Sequence, residues 1–459
     1  MYAEARSQPG DVSASKSKSL TRDHCKVLAL ASMGGMLEYY EFTIFIFLTP
    51  FTSQLFFPLS SPSWLRELET LTIFAAGYLT RPFGGILLAS LGDKLGRKKM
   101  FALSVLLMAS PTLAVGLLPV YAQIGIWAPA ALLACRLLQG AALGGELPTA
   151  MVFVSEHVPK RRLGLAFGLL GTGVVLGFVL ASGLIALLLN HYSKAAFLVS
   201  GWRIPFVLGG VFGLMSAFLR RYVAETPVFR EMSARKHLVK GTPLKQLIKH
   251  YRTETVLCLL LSIAPGVIVP GVHLFPAIYL QTVRHYDPRV VNDALFWLQV
   301  TMLVSGIAGG LVVDLIGWLK AILITFSLLV LTLFGFYAFV TPATLDFWFC
   351  ALGLFLSVSI MLYNPLVSSF PAQIRLTGIA SVYNIGAAIF GGTTPVIMQV
   401  ISRYSKWGLA FYPSAAALIA MVVTPILWKM HKPIDLEAVD LPFDASSPIQ
   451  KKDRSEEVL

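Results

Sequence analysis

Apolar residues run along this chain in blocks of about twenty, separated by short polar turns. A helix rises ~1.5 Å per residue, so one such block spans the ~30 Å hydrocarbon core of a bilayer. About twelve blocks meet that length criterion: approximately 28–56, 68–91, 100–120, 126–156, 163–190, 202–220, 254–281, 294–316, 320–341, 345–370, 377–401 and 408–429. The pattern predicts an all-α polytopic membrane protein with twelve transmembrane helices. The longest polar stretch, 221–253, lies near the middle of the chain and leaves six spans on each side. The expected organisation is a tail (1–27), a six-helix bundle (28–220), a linker (221–253), a second six-helix bundle (254–429) and a second tail (430–459). That last tail alternates acid and base, carries prolines and lacks apolar heptads, so it reads as disordered and not as a coiled coil.

Composition agrees with the pattern. Of 459 residues, 56% are hydrophobic and only 13% charged, against about 25% charged in soluble domains. The mean hydropathy is +0.71. A net charge of +13 would suggest a nucleic-acid partner in a soluble protein, but here the placement of the charges decides. Lys16, Lys18, Arg22 and Lys26 precede the first span. Lys94, Arg97, Lys98 and Lys99 follow the second, and Lys160, Arg161 and Arg162 follow the fourth. Nine more basic residues, from Arg220 to Arg252, lie between the sixth and seventh. The alternate loops are poor in base. This asymmetry predicts two cytoplasmic termini. No basic–aromatic face or nucleic-acid motif accompanies it, so the expected partner is the lipid bilayer and not nucleic acid. Cys25, Cys135, Cys258 and Cys350 are widely spaced, without a disulfide framework or zinc pattern. The first 27 residues lack the apolar core of a signal peptide, and the first span is expected to remain in the mature protein.

The two halves carry an internal repeat. Asp93-x-x-Gly96-Arg97-Lys98 aligns with Asp314-x-x-Gly317-Trp318, with Lys320 just after. Arg162-Leu163-Gly164 opens the fifth span as Arg375-Leu376-Thr377-Gly378 opens the eleventh. In the first copy, Gly92 and Gly96 permit a tight turn, and Asp93 can pair with Arg97 or cap a helix N-terminus. Gly92, Asp93, Gly96, Arg97, Lys98 and Lys99 are therefore a candidate cytoplasmic gate, an ion-pair latch between the halves. The competing reading is a topology signal alone. In the second copy Trp318 stands where the arginine would be, so a symmetric latch is not expected.

A charge at the centre of a spanning helix costs about 2.5–3.5 kcal/mol on insertion scales and marks a functional site by default. Arg81 lies about 16 Å along its helix from the loop that begins at Gly92. Glu38 and Glu41 lie at similar depth in the first span. Arg136 and Glu146 lie in the fourth, about 15 Å apart. A buried guanidinium presents a planar fork to a carboxylate. A carboxylate away from water can take up and release a proton in response to its partners. Glu38, Glu41, Arg81, Arg136 and Glu146 are thus the candidate substrate and proton-coupling residues, with Glu38 expected close to Arg136. The competing reading makes them structural ion pairs. Candidate cavity-lining residues are Tyr39, Tyr40, His273, Tyr279, Tyr363, Asn364, Tyr383 and Asn384, each of which could instead be a packing residue. Gly168, Gly171, Gly173 and Gly177 on the fifth span suit close helix packing.

Several stretches together are similar to one family. These are Glu38-Tyr39-Tyr40-Glu41-Phe42, Arg81-Pro82-Phe83-Gly84-Gly85, Gly92 to Lys99, Gln139-Gly140 with Gly144-Gly145-Glu146, Gly201-Trp202-Arg203-Ile204-Pro205-Phe206 and Glu225-Thr226-Pro227-Val228-Phe229. The second half adds Phe370-Pro371, Arg375-Leu376-Thr377-Gly378, Tyr383-Asn384 and Phe390-Gly391-Gly392-Thr393-Thr394-Pro395. The set resembles the metabolite:proton symporter family of the major facilitator superfamily, which includes importers of proline and betaine, shikimate, citrate and α-ketoglutarate. The resemblance implies two pseudo-symmetric six-helix halves that rock about a central site. It also implies import of a small carboxylate-bearing or zwitterionic solute with protons, across a bacterial inner membrane. Where that family usually has Glu-Trp-Tyr-Asp, this chain has Glu38-Tyr39-Tyr40-Glu41, and the seventh span carries Pro265, Pro270 and Pro276. The absence of a coiled-coil tail counts against betaine.

Two other readings remain. An exporter of the superfamily would resemble the drug antiporters, yet no proline lies between Pro159 and Pro205 in the fifth span. A non-transporting solute sensor is the other. No nucleophile–base pair, metal motif or nucleotide loop suggests an enzyme or a cofactor. Function as a monomer is the expectation.

Overall fold

The computed structural model describes residues 20–235 and 241–430. Among these, every regular element is helical. Eleven helical stretches are long and apolar enough to cross a membrane. They are α2 (Ser63–Leu95), α3 (Arg97–Leu117), α4 (Trp127–His157), α5 (Lys160–His191), α6 (Lys194–Arg220), α7 (Arg252–Thr282), α8 (Arg289–Ile316), α9 (Trp318–Phe339), α10 (Pro342–Ser368), α11 (Arg375–Ser402) and α12 (Lys406–Met430). The helix before them, α1 (Arg22–Phe56), has 35 residues and completes the twelve. Its Glu38-Tyr39-Tyr40-Glu41 core interrupts the apolar run, so length more than apolarity qualifies it as a span.

The expected boundaries shift where caps act. The first span, expected from 28, begins at Arg22, because Thr21 caps it: the His24 amide donates to Thr21 Oγ1 at 3.3 Å and the Thr21 amide to His24 Nδ1 at 3.1 Å. The linker, expected as a polar, basic stretch, contains two short helices, Pro227–Ala234 and Pro243–His250. Each starts with a proline directly after a threonine, a sequence suited to a helix's first turn. The tails expected at 1–27 and 430–459 fall largely outside the described residues, as do Lys236 and Lys240 of the linker.

Three spans contain π-helical turns: Phe197–Gly201 in α6, Val269–Leu274 in α7 and Ala387–Gly391 in α11. Nothing in the 3.6-residue periodicity announces them. Pro270 is the second residue of the second of these turns, and glycine closes the other two.

Close backbone packing sets the position of the central residues. α2 and α4 touch along Gly77, Gly84, Gly140 and Gly144. A Cβ on Gly144 would lie 2.7 Å from the Gly85 nitrogen, so only glycine lets the two backbones approach this closely beside Arg81. The α5 glycines divide by face. Gly168 packs on Gly306 of α8 and Gly171 on Ile360 of α10, in the second half, while Gly173 and Gly177 pack on α1. α5 therefore packs between α1 and the opposite half. The internal repeat is visible in the backbone too. Gly96 and Gly317 hold matching positive φ angles, 117° and 84°, at the α2–α3 and α8–α9 turns, a conformation glycine adopts without strain.

Candidate functional site: a central cleft and its buried ion pairs

The two halves enclose a cleft of about 590 Å³, counting its open mouth. The first half contributes Tyr39 and Phe42 (α1), Tyr78 and Arg81 (α2) and Phe178 (α5). The second half contributes α7 residues from Ser262 to Leu274 and the α11 residues Tyr383, Ala387 and Gly391. The wall is mostly aromatic on one side and small or aliphatic on the other. Tyr39 and Phe178 meet with ring centroids 5.0 Å apart, and Phe42 and Tyr78 at 5.9 Å. Arg81 is the cationic group on this wall.

The five candidate charged residues fall in three separate ion pairs, the third completed by Arg220. Arg81 Nη2 lies 2.9 Å from Glu38 Oε1, and its Nε donates to Asn384 Oδ1 at 2.8 Å. Asn384 in turn donates to the carbonyls of Gly144 at 2.7 Å and Ala380 at 2.8 Å. One asparagine on α11 thus ties the guanidinium on α2 to the backbone of α4. Arg81 Cζ also lies over the Tyr78 and Tyr383 rings, 5.8 and 5.9 Å from their centroids. Glu38 keeps one buried oxygen, Oε2, without a hydrogen-bond partner.

Arg136 lies 3.3 Å from Glu41 Oε1 and not beside Glu38. Depth along a helix fixed the height of these residues but not their azimuth. Three positions on α1 separate Glu38 and Glu41, enough to turn one toward α2 and the other toward α4. Gln139 also donates to Glu41 and donates to Thr112 Oγ1 at 3.0 Å. Arg136 lies over the Phe45 ring at 3.8 Å, and its Nε and Nη2 have no partners.

Glu146 lies away from the cleft wall. It forms a two-pronged pair with Arg220 of α6, Nη2 to Oε1 at 2.6 Å and Nη1 to Oε2 at 3.0 Å, and it accepts from Ser104. Arg220 donates further to the carbonyls of Phe101 and Leu30. Both side chains are fully buried. Arg220, the last residue of the expected first bundle, counts in the sequence only among the basic residues between the sixth and seventh spans. A signal for it exists: Phe206, Gly209, Gly213, Ser216 and Arg220 follow one another at helical spacing and are all buried, so the arginine ends an inward face.

The candidate polar residues also scatter. Tyr39 and Tyr383 line the cleft, and Asn384 orients Arg81. Tyr40 points the other way, its hydroxyl donating to the Pro205 carbonyl at 2.8 Å. Tyr279 packs against Tyr337 at 5.8 Å. Tyr363 packs edge-on against Phe167 of α5 at 5.7 Å. Asn364 borders a crevice beside Gly164, Gly306 and Gly310 and donates to the Met361 carbonyl at 3.2 Å. His273 is buried against Phe178, with ring centroids 4.6 Å apart. Among the described residues, no group of three or more His, Cys, Asp or Glu is arranged to hold a metal ion.

At the end carrying the basic loops, the halves are pressed together. Asp93 accepts from the Thr377 amide at 2.9 Å and hydroxyl at 2.7 Å, capping α11 of the opposite half, and pairs with Arg97 at 3.1 Å. Arg97 donates to the Ala372 carbonyl across the interface. Glu156, which the sequence reading did not single out, lies 3.1 Å from Arg375 and 3.5 Å from Arg97. Glu225 accepts from the Lys98 amide at 3.0 Å, so the linker caps α3. Gly92 meets Leu376, while Lys98 is half-buried and Lys99 exposed. The second copy is less decayed than its sequence suggested. Asp314 accepts from the amides of Gly164 at 2.7 Å and Leu165 at 3.1 Å, capping α5 as Asp93 caps α11. The aspartate, not the arginine, makes the capping contact, so Trp318 at the arginine position leaves it intact.

Residues 31–375 match the Major Facilitator Superfamily. The chain belongs to the major facilitator superfamily. Within the superfamily, it is 31% identical over 411 residues to the putative proline/betaine transporter of Staphylococcus aureus (strain COL), covering 88% of each. It is 30% identical over 412 residues to the proline/betaine transporter of Escherichia coli (strain K12), covering 86% of this chain and 82% of that one. The fold is shared with the proton:xylose symporter XylE bound to 6-bromo-6-deoxy-D-glucose, at a TM-score of 0.73 and 14% identity over 88% of this chain and 95% of that one. The protein is therefore a multi-pass membrane transporter of major facilitator architecture, and not an enzyme.

Proposed function

We propose that the protein is a proton-coupled symporter that imports a small zwitterionic, carboxylate-bearing metabolite by alternating access. The observation that carries this reading is the Arg81–Glu38 pair on the cleft wall, held from the opposite half by Asn384. A carboxylate entering the cleft meets a guanidinium fork suited to it in two-pronged geometry. Glu38 already occupies one prong, so solute and Glu38 compete. A proton on Glu38 removes its charge and frees Arg81 for the solute. Loss of that proton returns Glu38 to Arg81 and favours release. The aromatic wall of Tyr39, Phe42, Tyr78 and Phe178 suits the other end of a zwitterion, because an ammonium group is attracted to ring faces. The relatives named as proline/betaine transporters support a zwitterion over a di- or tricarboxylate.

In this reading Glu41 and Arg136 form a second charge pair beside the first, available to a proton that leaves Glu38. Residues 28–220 and 254–429 are the rocking halves, joined by the linker at 221–253. The Asp93 and Asp314 caps hold the basic end shut. That end faces the cytoplasm of a bacterial inner membrane by the positive-inside asymmetry, with both termini on the same side. The protein acts as a monomer.

The test is uptake by the purified protein in liposomes under an inward proton gradient, with labelled proline, betaine, shikimate and citrate. The reading expects accumulation of a zwitterion above its external concentration, abolished by uncoupler. Accumulation of citrate or shikimate in place of the zwitterions would overturn it.

A further inference from the structure

His273 has no part in the reading above, and its surroundings are unusual. The side chain is fully buried, yet neither Nδ1 nor Nε2 has a hydrogen-bond partner. Buried polar side-chain atoms are nearly always paired, and each exception calls for an explanation. The imidazole meets the Phe178 ring edge-on at 4.6 Å and 90°. Phe178 lines the cleft, and so do Pro270 and Leu274, which flank His273 on α7. The imidazole therefore stands just behind the cleft wall, with the Phe178 ring against it.

The backbone around it is π-helical, from Val269 to Leu274. Single π turns inside α-helices are rare and gather at functional sites. Pro270 at the start of this turn has no amide proton to complete a helical ladder. The second wall segment of the cleft, Ala387–Gly391, is π-helical as well. The Phe178 ring that lies against the imidazole also lines the cleft, so contact between His273 and a solute requires that ring to turn aside.

We propose that His273 is a solute-contacting residue that reads the nitrogen end of the solute and favours zwitterions bearing N–H over fully N-methylated ones. This inference rests on the zwitterion reading above. Arg81, on the first half, takes the carboxylate. His273, on the second half, takes the nitrogen, so one solute bridges both halves. A neutral imidazole offers one acceptor and one donor. A primary or secondary ammonium donates to that acceptor and ends its unpaired state. A quaternary ammonium has no hydrogen to give, and the buried acceptor stays unpaired. Sites built to hydrogen-bond an N–H or O–H reject analogues lacking it more strongly than apolar pockets reject a change of size.

The test is equilibrium binding of labelled proline and its N,N-dimethyl derivative to the purified full-length protein in detergent. The readout is the ratio of the two affinities, which a purely structural role for His273 would not move. The wild type is expected to prefer proline by about tenfold or more. His273→Phe keeps the ring contact with Phe178 and is expected to bring the ratio to within about twofold of unity. His273→Gln retains a donor and an acceptor and is expected to keep a clear preference for proline. If His273→Phe elutes as aggregate in size exclusion, His273→Met serves as the apolar variant under the same thresholds. A ratio unchanged in the apolar variant, or equal affinities in the wild type, would overturn the inference alone. Binding of neither solute by the wild type would overturn the zwitterion reading, and the inference with it.

Discussion

Arg81→Lys is expected to lower solute affinity by at least about tenfold while leaving the protein folded. Lysine keeps the positive charge, so Glu38 is not left as a buried charge without a counter-ion. What it loses is the fork. Arg81 reaches Glu38 through Nη2 and Asn384 through Nε at the same time, and a single ammonium cannot hold both directions and still receive a carboxylate in two-pronged geometry. Equilibrium binding in detergent, with size exclusion as the folding check, measures the effect. Wild-type affinity in the lysine variant would remove Arg81 from the solute site.

The second large effect concerns stability. Glu146→Leu leaves the Arg220 guanidinium buried without its carboxylate, at a cost of about 3–5 kcal/mol. The pair is fully buried, and Arg220 draws together carbonyls from α1 and α3 as well as Glu146 on α4. Its loss therefore loosens four helices of the first half at once. The double variant Glu146→Leu with Arg220→Met removes both charges and is expected to recover much of the loss, because a buried ion pair often does no better than an apolar pair of similar volume. Thermal unfolding in detergent checks both variants. A single variant that melts like the wild type would mean that the pair does not hold the first half together.

Much of this architecture is legible in the sequence. Apolar blocks announce the eleven spans that are both long and apolar enough to cross a bilayer, and α1 follows by its length. Misplaced ends trace to local caps, as at Thr21, which pulls α1 out into polar sequence. Glu38, Glu41, Arg81 and Arg136 stood out because charges are rare at those depths. Their pairing did not, because position along a helix fixes height and leaves rotation and neighbour choice open. Glu38 consequently pairs with Arg81, and Arg136 pairs with Glu41. Arg220 was hidden by its neighbour Arg221, which is exposed where Arg220 is buried. Glu156 was hidden at the end of a span, where an acid looks like ordinary punctuation. Asp314 shows the opposite case: a motif that has lost its arginine keeps the contact that its aspartate makes. The π turns of α7 and α11 carry no periodic signature, and both lie on the cleft.

The most direct test of the central claim is a paired transport assay on Glu38→Gln in liposomes. Glutamine keeps the size and hydrogen-bonding shape of a protonated glutamate but cannot release a proton. The account predicts that solute exchange at equal concentrations on both sides persists, while accumulation driven by an inward proton gradient is lost. Accumulation at the wild-type level in the Glu38→Gln protein would contradict it.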